Sequence, residues 1–211
     1  AAWSRRGSRL QRFISNQDAD IVFLTEVTRR WEQRLPDLDP RYPHVRAMPL
    51  PNAFGFALLS KFEVSEYQVH YLNADRLPVL EATIETPTTP LEVIGVHLYS
   101  PISKRMVTKR NQQLRELEKL FTPTTNPRLL LGDLNITAYS GYYQRFLEES
   151  GLSDSLPSWK LTPTWPSWYP MFRIQIDHCL GSNKLQGLER KAGSRFGSDH
   201  LPLFCDYGFV K

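Results

Sequence analysis

Cysteine is scarce in this chain, and long apolar runs are absent. Two cysteines occur in 211 residues, Cys179 and Cys205, and neither has the closely spaced Cys or His partners of a zinc site. Each lies within an apolar, strand-like run, which favours buried free thiols over a disulfide. No segment approaches the roughly 18 consecutive apolar residues that a membrane-spanning helix needs. The sequence therefore excludes a cysteine-based metal site and predicts no membrane segment in this chain.

The composition suits one domain. With 41% hydrophobic residues, a chain of 211 residues can bury a full core, so we predict a single domain over residues 1–211. The net charge of +4 is mildly basic. This charge is compatible with a phosphate-bearing substrate, although many proteins without one are equally basic.

The hydrophobic pattern predicts a mixed α/β fold. Leu10, Phe13 and Ile14 recur at helical spacing within residues 5–17, and the apolar run that follows ends in the carboxylate of Glu26. Runs rich in β-branched and aromatic residues predict further strands at 53–59, 64–72, 79–84 and 91–98. Two more helices are expected at 103–121 and 141–149, and a Pro- and Trp-rich surface loop at 156–170.

One apolar strand ends in polar residues. Leu129, Leu130 and Leu131 are followed by Gly132-Asp133-Leu134-Asn135, so that two polar side chains, two residues apart, point the same way at a strand end. The ends of buried strands are where α/β folds place the groups that contact ligands. An Asx-turn that only starts the next loop is the alternative for Asp133 and Asn135.

Other acidic and imidazole side chains follow the same pattern. Glu26, His97, Asp177, Asp199 and His200 each end or adjoin an apolar run. Taken singly, each has a structural explanation: a solvated strand end, a hydrogen-bonded core histidine, a polar pair at a sheet edge, or a turn cap. Their ordered combination favours a shared site.

These residue types suit hydrolysis of a phosphoester. A hard cation such as Mg²⁺ or Mn²⁺ prefers oxygen ligands, which Glu26 and Asp199 offer. A histidine held by a carboxylate, here His200 with Asp177, can activate a water, while a metal stabilises the leaving oxygen.

Five segments, in their order along the chain, resemble the metal-dependent endonuclease/exonuclease/phosphatase superfamily. Its members include pancreatic-type deoxyribonucleases and bacterial sphingomyelinases. The similarity extends over nearly the whole chain and is carried by Thr25-Glu26, Gly95-Val96-His97, Gly132-Asp133-Leu134-Asn135, Ile176-Asp177-His178 and Ser198-Asp199-His200. The resemblance implies a four-layer α/β sandwich of two packed mixed sheets flanked by helices, and a Mg²⁺- or Mn²⁺-dependent phosphoesterase.

The resemblance also implies a role for each residue. Glu26 would bind the metal, supported by Asp199. Asp133 would orient the attacking water, and Asn135 and His97 would contact the phosphate, with His97 at the scissile phosphate or leaving group. Asp177 would orient His200.

One departure concerns the start of the chain. Family members carry an Asn at the end of a first strand, and this chain begins after the expected place of that strand, so we expect the natural protein to extend upstream. The helix sequence Lys109-Arg110-Asn111-Gln112 is similar to that of a bacterial type whose members often have membrane-spanning helices upstream, so an upstream membrane anchor is compatible with the resemblance. The residues leave the oligomeric state and the compartment open.

The substrate is open among three hypotheses: a nuclease acting on DNA or RNA, which we favour, an enzyme acting on a small organic or lipid phosphate, and a catalytically silent binding module. Lys104 and Arg105, expected in a loop after His97, are candidate phosphate ligands. Aromatic residues before Asp177 are candidates for stacking on a base, for gripping lipid or a partner, or for local core packing; they are Trp159, Trp165, Trp168, Tyr169 and Phe172. The first helix carries a basic face that suits either a nucleic-acid backbone or solvent; it is formed by Arg5, Arg6, Arg9 and Arg12.

Overall fold

A computed structural model describes residues 2–32, 35, 38–72, 75–157 and 160–210, without the side chains of residues 2–8 and 32. In chain order the elements are α1 (Ala2–Gln17), β1 (Ile21–Thr25), α2 (Arg29–Glu32), β2 (His44–Met48), β3 (Phe56–Ser60), β4 (Val64–Leu72), β5 (Leu77–Glu85), β6 (Pro90–His97), α3 (Lys104–Leu117), β7 (Arg128–Asp133), α4 (Gly141–Ser150), β8 (Leu152–Asp154), β9 (Asp177–Ser182), β10 (Leu185–Ala192) and β11 (Leu203–Phe209). Short 3-10 helices cover Glu118–Leu120 and Pro170–Phe172.

The largest sheet has the strand order β4-β5-β6-β7-β9-β8. It is mixed, because β6 and β7 run parallel while its other neighbouring strands run antiparallel. The parallel pair is connected through α3, as a parallel connection requires. A second layer of strands consists of the antiparallel groups β1-β3-β2 and β10-β11.

Three apolar clusters hold the layers together. One lies between the two layers of strands and includes Phe56, Leu80 and Leu185. A second packs α3 and α4 on the other face of the large sheet, around Leu114, Leu130 and Phe146, and a third packs α1 on β1 and β3. The order helix, sheet, sheet, helix confirms the predicted four-layer α/β sandwich.

Local signals set the ends of the helices on the large sheet. The hydroxyl of Ser103 accepts a hydrogen bond from the backbone N–H of Met106 at 3.3 Å, which caps α3 at its N-terminus. Gly151 ends α4 in the left-handed conformation, with φ of 66°.

Most predicted elements are present, with corrections at their ends. The helix expected over 103–121 becomes 3-10 after Leu117, and the strand expected over 53–59 begins only at Phe56. The Ser103 cap places Lys104 and Arg105 in the first turn of α3, so the helix prediction over 103–121 is right for these two residues and the separate prediction that they lie in a loop was wrong. Strands β2, β8 and β10 were not predicted.

Two further predictions concern the whole chain. Both cysteines are free thiols, Cys179 buried and Cys205 half-buried. None of the described helices has the length and apolarity to cross a bilayer. An additional first strand, upstream of residue 1, stays a prediction.

Candidate active site

Three neighbouring strands of the large sheet place polar residues side by side at one edge. Strand β6 ends at His97 and β7 ends at Asp133, and these two residues face each other in the parallel register. Strand β9 runs the other way and begins at Asp177, which faces Asp133 from the opposite side. Asp133 therefore lies at the centre of a row of three functional side chains.

The Asp133 carboxylate is held by the turn that follows it. Asp133 is 4% exposed, and its Oδ1 accepts a hydrogen bond from the backbone N–H of Asn135 at 2.7 Å. The Asn135 side chain donates from Nδ2 to Oδ2 of Asp133 at 3.2 Å and to the carbonyl of Leu98 at 2.9 Å. Asn135 itself has a left-handed φ of 50°, a conformation that Asn tolerates better than most residues. The turn thus fixes the direction of the carboxylate.

Gly132 permits the close approach of β7 to β6 just before this turn. Its φ is 145°, and a Cβ atom there would lie 1.8 Å from the carbonyl oxygen of Val96. Only glycine meets both conditions, so the glycine of the Gly-Asp-Leu-Asn segment has a steric role.

His200 and Asp177 form a hydrogen-bonded pair. Nδ1 of His200 donates to Oδ2 of Asp177 at 2.8 Å, and the Thr164 hydroxyl donates to the same oxygen. Burial disfavours the charged imidazolium, but the hydrogen bond to Asp177 and the negative charges of Asp177 and Asp133 outweigh it and raise the pKa of His200 to about 9. His200 is therefore cationic at neutral pH in the metal-free protein.

A small gap separates the two imidazoles from Asp133. Oδ2 of Asp133 lies 3.7 Å from Nε2 of His97 and 3.8 Å from Nε2 of His200. Both distances exceed a hydrogen bond, so these three atoms are not bonded to one another and can each bind a water or phosphate oxygen that lies beside them. Nδ1 of His97 donates to the carbonyl of Ala53 at 2.9 Å, and burial lowers the pKa of His97. A neutral His97 thus presents a lone pair at Nε2.

Glu26 and Asp199 are two carboxylates near each other beside this row. Glu26 follows β1 with a left-handed φ of 58°. Burial, and next the charge of Asp199, raise the pKa of Glu26, while the charge of His200 lowers it. The carbonyl of Asp199 accepts a hydrogen bond from the N–H of Ser167 at 2.7 Å, which ties this segment to the aromatic loop. Carboxylate oxygens are the ligands that suit a hard divalent cation.

Asp133 is also placed where its charge is disfavoured. Burial, followed by the charge of Asp177, raises the pKa of Asp133. Ligand atoms of Asp133, Asp177 and His200 all lie within 4.8 Å of one another. A buried carboxylate with a raised pKa beside a cationic histidine is typical of catalytic sites.

The structure brings together seven residues singled out in the sequence: Glu26, His97, Asp133, Asn135, Asp177, Asp199 and His200. It adds Thr164 and Ala53, which have no distinctive sequence pattern around them. Lys104 and Arg105 are exposed and make no described contact with these seven residues.

The aromatic loop is well exposed beside the site. The exposed fractions are 37% for Trp165, 46% for Trp168, 59% for Tyr169 and 74% for Phe172, so these rings are not core residues. Trp159 lies outside the described residues. On α1, Arg9 and Arg12 are exposed, while the side chains of Arg5 and Arg6 also lie outside the described part.

Solved structures share this fold. An endonuclease/exonuclease/phosphatase from Beutenbergia cavernae aligns with a TM-score of 0.80 and 23% identity, over 96% of this chain and 66% of that one. TDP2 of D. rerio, complexed with a single-strand DNA product, aligns with a TM-score of 0.80 and 16% identity, over 97% of this chain and 92% of that one. Sphingomyelinase C from Streptomyces griseocarneus aligns with a TM-score of 0.69 and 18% identity, over 94% and 90%.

Sequence comparison identifies the family. Residues 1–200 match the model of the Endonuclease/Exonuclease/phosphatase family, and the chain belongs to that family. Nocturnin of Xenopus laevis is 28% identical over 46% of this chain and 31% of its own length. The chain spans less than two thirds of nocturnin and of the Beutenbergia cavernae protein.

Proposed function

We propose that this protein is a divalent-metal-dependent hydrolase of phosphodiesters. The observation that carries the proposal is the convergence of Asp133, Asp177 and His200, from three separate segments, on a space that is 4.8 Å or less across between their ligand atoms. Membership of the endonuclease/exonuclease/phosphatase family supports the same chemistry.

We assign the metal, Mg²⁺ or Mn²⁺, to Glu26 and Asp199. Their mutual repulsion is relieved by a cation, and oxygen ligands suit these ions. The cluster of Asp133, Asp177 and His200 suits a cation less, because both Asp133 oxygens already accept hydrogen bonds from Asn135 and His200 is itself cationic. When bound, the metal supplies positive charge for the phosphate and the leaving oxygen.

The protein side chains divide the remaining tasks. We assign Asp133 to orient the attacking water and accept its proton. Burial and the charge of Asp177 raise the pKa of Asp133 to about 8, which makes the ionised carboxylate a stronger base, and the positive charge of His200, which lowers this pKa, favours the ionised form. Cationic His200, held by Asp177, donates from Nε2 to a phosphate oxygen. His97 faces the same gap, where its Nε2 lone pair accepts a hydrogen from water or from a hydroxyl of the substrate.

The contacts of the Asn135 side chain differ from the phosphate contact that the resemblance implies. Both hydrogens of its side-chain amide are donated within the protein, to Leu98 and Asp133. Its present contacts therefore orient Asp133, and a direct contact of Asn135 with the phosphate stays a prediction.

We propose nucleic acid as the substrate class. Exposed Trp168, Tyr169 and Phe172 lie on a loop whose Ser167 is hydrogen-bonded to Ser198 and Asp199 at the site. Aromatic faces stack on bases, and stacking of this kind is worth about 1–3 kcal/mol per base. The net charge of +4 also favours a polyanion.

A lipid phosphodiester is the second candidate. Met171 is 93% exposed, and Ile102, on the loop after β6, is 83% exposed. Neither side chain can stack on a base, whereas both can enter an apolar layer. These two residues favour an apolar substrate or surface next to the site.

One screen tests these proposals. Bis(p-nitrophenyl) phosphate, p-nitrophenyl phosphate, a single-stranded oligonucleotide and phosphatidylcholine vesicles are each incubated with Mg²⁺ or Mn²⁺. We expect cleavage of the small diester and the oligonucleotide, loss of both with Asp133→Ala, and no loss with the exposed control Glu148→Gln. Turnover of the lipid alone would favour the second candidate. If nothing is turned over and no metal binds, the protein is a silent binding module and the enzymatic proposal fails.

A loop variant separates recognition from chemistry. Combining Trp168→Ala, Tyr169→Ala and Phe172→Ala removes three exposed rings and leaves the Ser167 anchor in place. We expect oligonucleotide cleavage to fall about 10-fold or more while hydrolysis of the small diester is retained. Tyr67→Ala, an exposed tyrosine on the outer strand β4, is the matched control.

A further inference from the structure

The turn after β7 is held from behind by two buried donors. The Arg110 guanidinium, on α3, donates to the carbonyl of Asn135. Nε2 of His178, on β9, donates to the next carbonyl, that of Ile136, at 2.8 Å. Arg110 is 7% exposed and His178 is 1% exposed, so neither interaction is shared with solvent. Two successive carbonyls are thus fixed by residues from two different elements.

The Arg110 contact is costly to maintain. Burial lowers the pKa of Arg110, and neither of its described hydrogen bonds is to a carboxylate. Its described hydrogen bonds go to Asn111 and to the Asn135 carbonyl. A buried guanidinium without a carboxylate is unfavourable for stability. Core packing alone therefore does not account for Arg110, whereas a need to fix the Asn135 peptide does.

His178 is the second buried donor, and core packing does not account for it either. Because its Nε2 donates to a carbonyl, its Nδ1 is a lone pair, and this buried atom has no hydrogen-bond partner. Burial lowers the pKa of His178, so the ring is neutral. Its ring packs against Tyr143 with a centroid distance of 4.7 Å, a contact that an apolar ring would make equally well. The hydrogen bond to Ile136 is what histidine adds at this position.

The turn that Arg110 and His178 bind determines the direction of the Asp133 carboxylate. Asn135 has a φ of 50°, and its N–H and its side-chain amide are the two donors to the Asp133 carboxylate. The held carbonyl and the donating N–H lie in the two peptides on either side of the Asn135 Cα, so a change in the Asn135 backbone torsions moves the N–H and the side-chain amide away from the Asp133 carboxylate. The carboxylate is then free to leave the gap that it shares with His97 and His200.

We propose that Arg110 and His178 are positioning residues: by holding the carbonyls of Asn135 and Ile136 they keep Asn135 left-handed and so direct the Asp133 carboxylate into the site. The inference rests on the proposed function, because the consequence it assigns is the rate of phosphodiester hydrolysis. Neither residue contacts the gap between Asp133 and the two imidazoles through a described hydrogen bond.

The test compares variants that keep or lose each donor. His178→Gln keeps a donor at the Nε2 position and His178→Leu loses it, while Arg110→Lys keeps a donor and Arg110→Met loses it. We expect the two donor-free variants to lower kcat for bis(p-nitrophenyl) phosphate about 10- to 100-fold with KM within about 2-fold, and the conservative variants to recover most of the rate. Circular dichroism melting checks that each variant folds.

Tyr143→Phe is the matched control. It removes a hydrogen bond of a buried residue, to Asp154, but keeps the ring against His178. We expect its kcat to stay within about 2-fold of wild type. The proposal is overturned if folded His178→Leu and Arg110→Met keep wild-type kcat, or if Tyr143→Phe loses as much rate as they do.

A readout without turnover keeps this proposal separate from the proposed function. In ¹⁵N-labelled metal-free protein, we expect the backbone and side-chain amide signals of Asn135 to shift in the donor-free variants and to stay near wild type in Tyr143→Phe. If wild type hydrolyses no diester, the proposed function fails, and the Asn135 signals alone decide the positioning. Unchanged Asn135 signals would then refute it.

Discussion

The imidazole of His200 is bound through Nδ1 to Oδ2 of Asp177 at 2.8 Å, although the two residues lie 23 positions apart. Asp177 begins β9, and His200 lies in the segment before β11. The hydrogen bond leaves Nε2 of His200 directed towards Asp133, 3.8 Å away. The pair therefore determines both the charge of His200 and the direction in which it can act.

Asp177→Asn tests how far the pair determines the charge of His200. Loss of the carboxylate removes the largest of the contributions that raise the pKa of His200, so we expect that pKa to fall below about 9 in an NMR titration of the metal-free protein. Diester hydrolysis should fall about 100-fold, since the cationic donor is weakened at neutral pH. Asp206→Asn, at an exposed position, should change neither quantity. An unchanged His200 titration would contradict the assignment.

Glu26→Gln tests the metal site without relying on activity. Burial and Asp199 raise the pKa of Glu26, so its charge opposes folding at pH above that pKa. Because Glu26 is exposed and its charge is screened by solvent, we expect the metal-free variant to melt at the Tm of wild type or slightly above it. Added Mn²⁺ should raise the Tm of wild type and leave that of the variant nearly unchanged. Equal metal-induced shifts in both proteins would place the metal elsewhere.

Asp39→Asn probes a structural ion pair away from the site. Hydrogen bonds from the Arg41 guanidinium, and then from Ser15, hold the pKa of Asp39 well below its ordinary value of 3.8. Because the folded pKa is the lower one, Asp39 stabilises the fold above pH 3.8 and loses this contribution as pH falls towards the folded pKa.

At pH 7 we expect Asp39→Asn to lower the free energy of unfolding by about 1–2 kcal/mol in urea titrations. The difference from wild type should shrink between pH 5 and about pH 2. Asp20→Asn, which removes an exposed ion pair with Lys61, should cost less than about 0.5 kcal/mol. A constant difference across this pH range would argue against the pair.

Gly132→Ala tests the steric role of glycine in the Gly-Asp-Leu-Asn segment. A Cβ at Gly132 meets the Val96 carbonyl at 1.8 Å, and the φ of 145° is unfavourable for alanine. We expect a loss of more than about 3 kcal/mol, or an insoluble protein. Gly141→Ala, at a position with open space in α4, should stay within about 0.5 kcal/mol of wild type in thermal melts. Similar stabilities for the two variants would refute this explanation.

Local patterns in the sequence were sufficient to locate the strand ends that form the site. Leu129, Leu130 and Leu131 form a short continuous apolar run, which is typical of a strand buried on both faces. The polar residues that follow were therefore predicted to lie at the end of that strand. The same reasoning placed His97 and Asp177 at strand ends. Edge strands such as β2 and β10 were missed, because half-exposed strands carry mixed polar and apolar residues without a strong period.

The roles of Arg110, Thr164 and His178 could not be predicted in this way. Arg110 lies in an amphipathic helix where an arginine is normally solvent-exposed, and only the packing of α3 on the large sheet brings it to the Asn135 carbonyl. The aromatic loop is a similar case, because stacking surface and local core share one composition. The exposure of its rings in the fold shows that the loop forms a surface and not local core.

The sequence by itself determined the family and the α/β class, and it pointed to seven polar residues at or near the ends of apolar runs, because hydrophobic periodicity and ordered motifs are local properties of the chain. Tertiary structure alone decided which of these residues meet. Strand register sets Asp133 between His97 and Asp177, and sheet packing brings Glu26 near Asp199. Distances, burial and pKa values depend on contacts between segments far apart in the chain, and these exist only once the layers have packed.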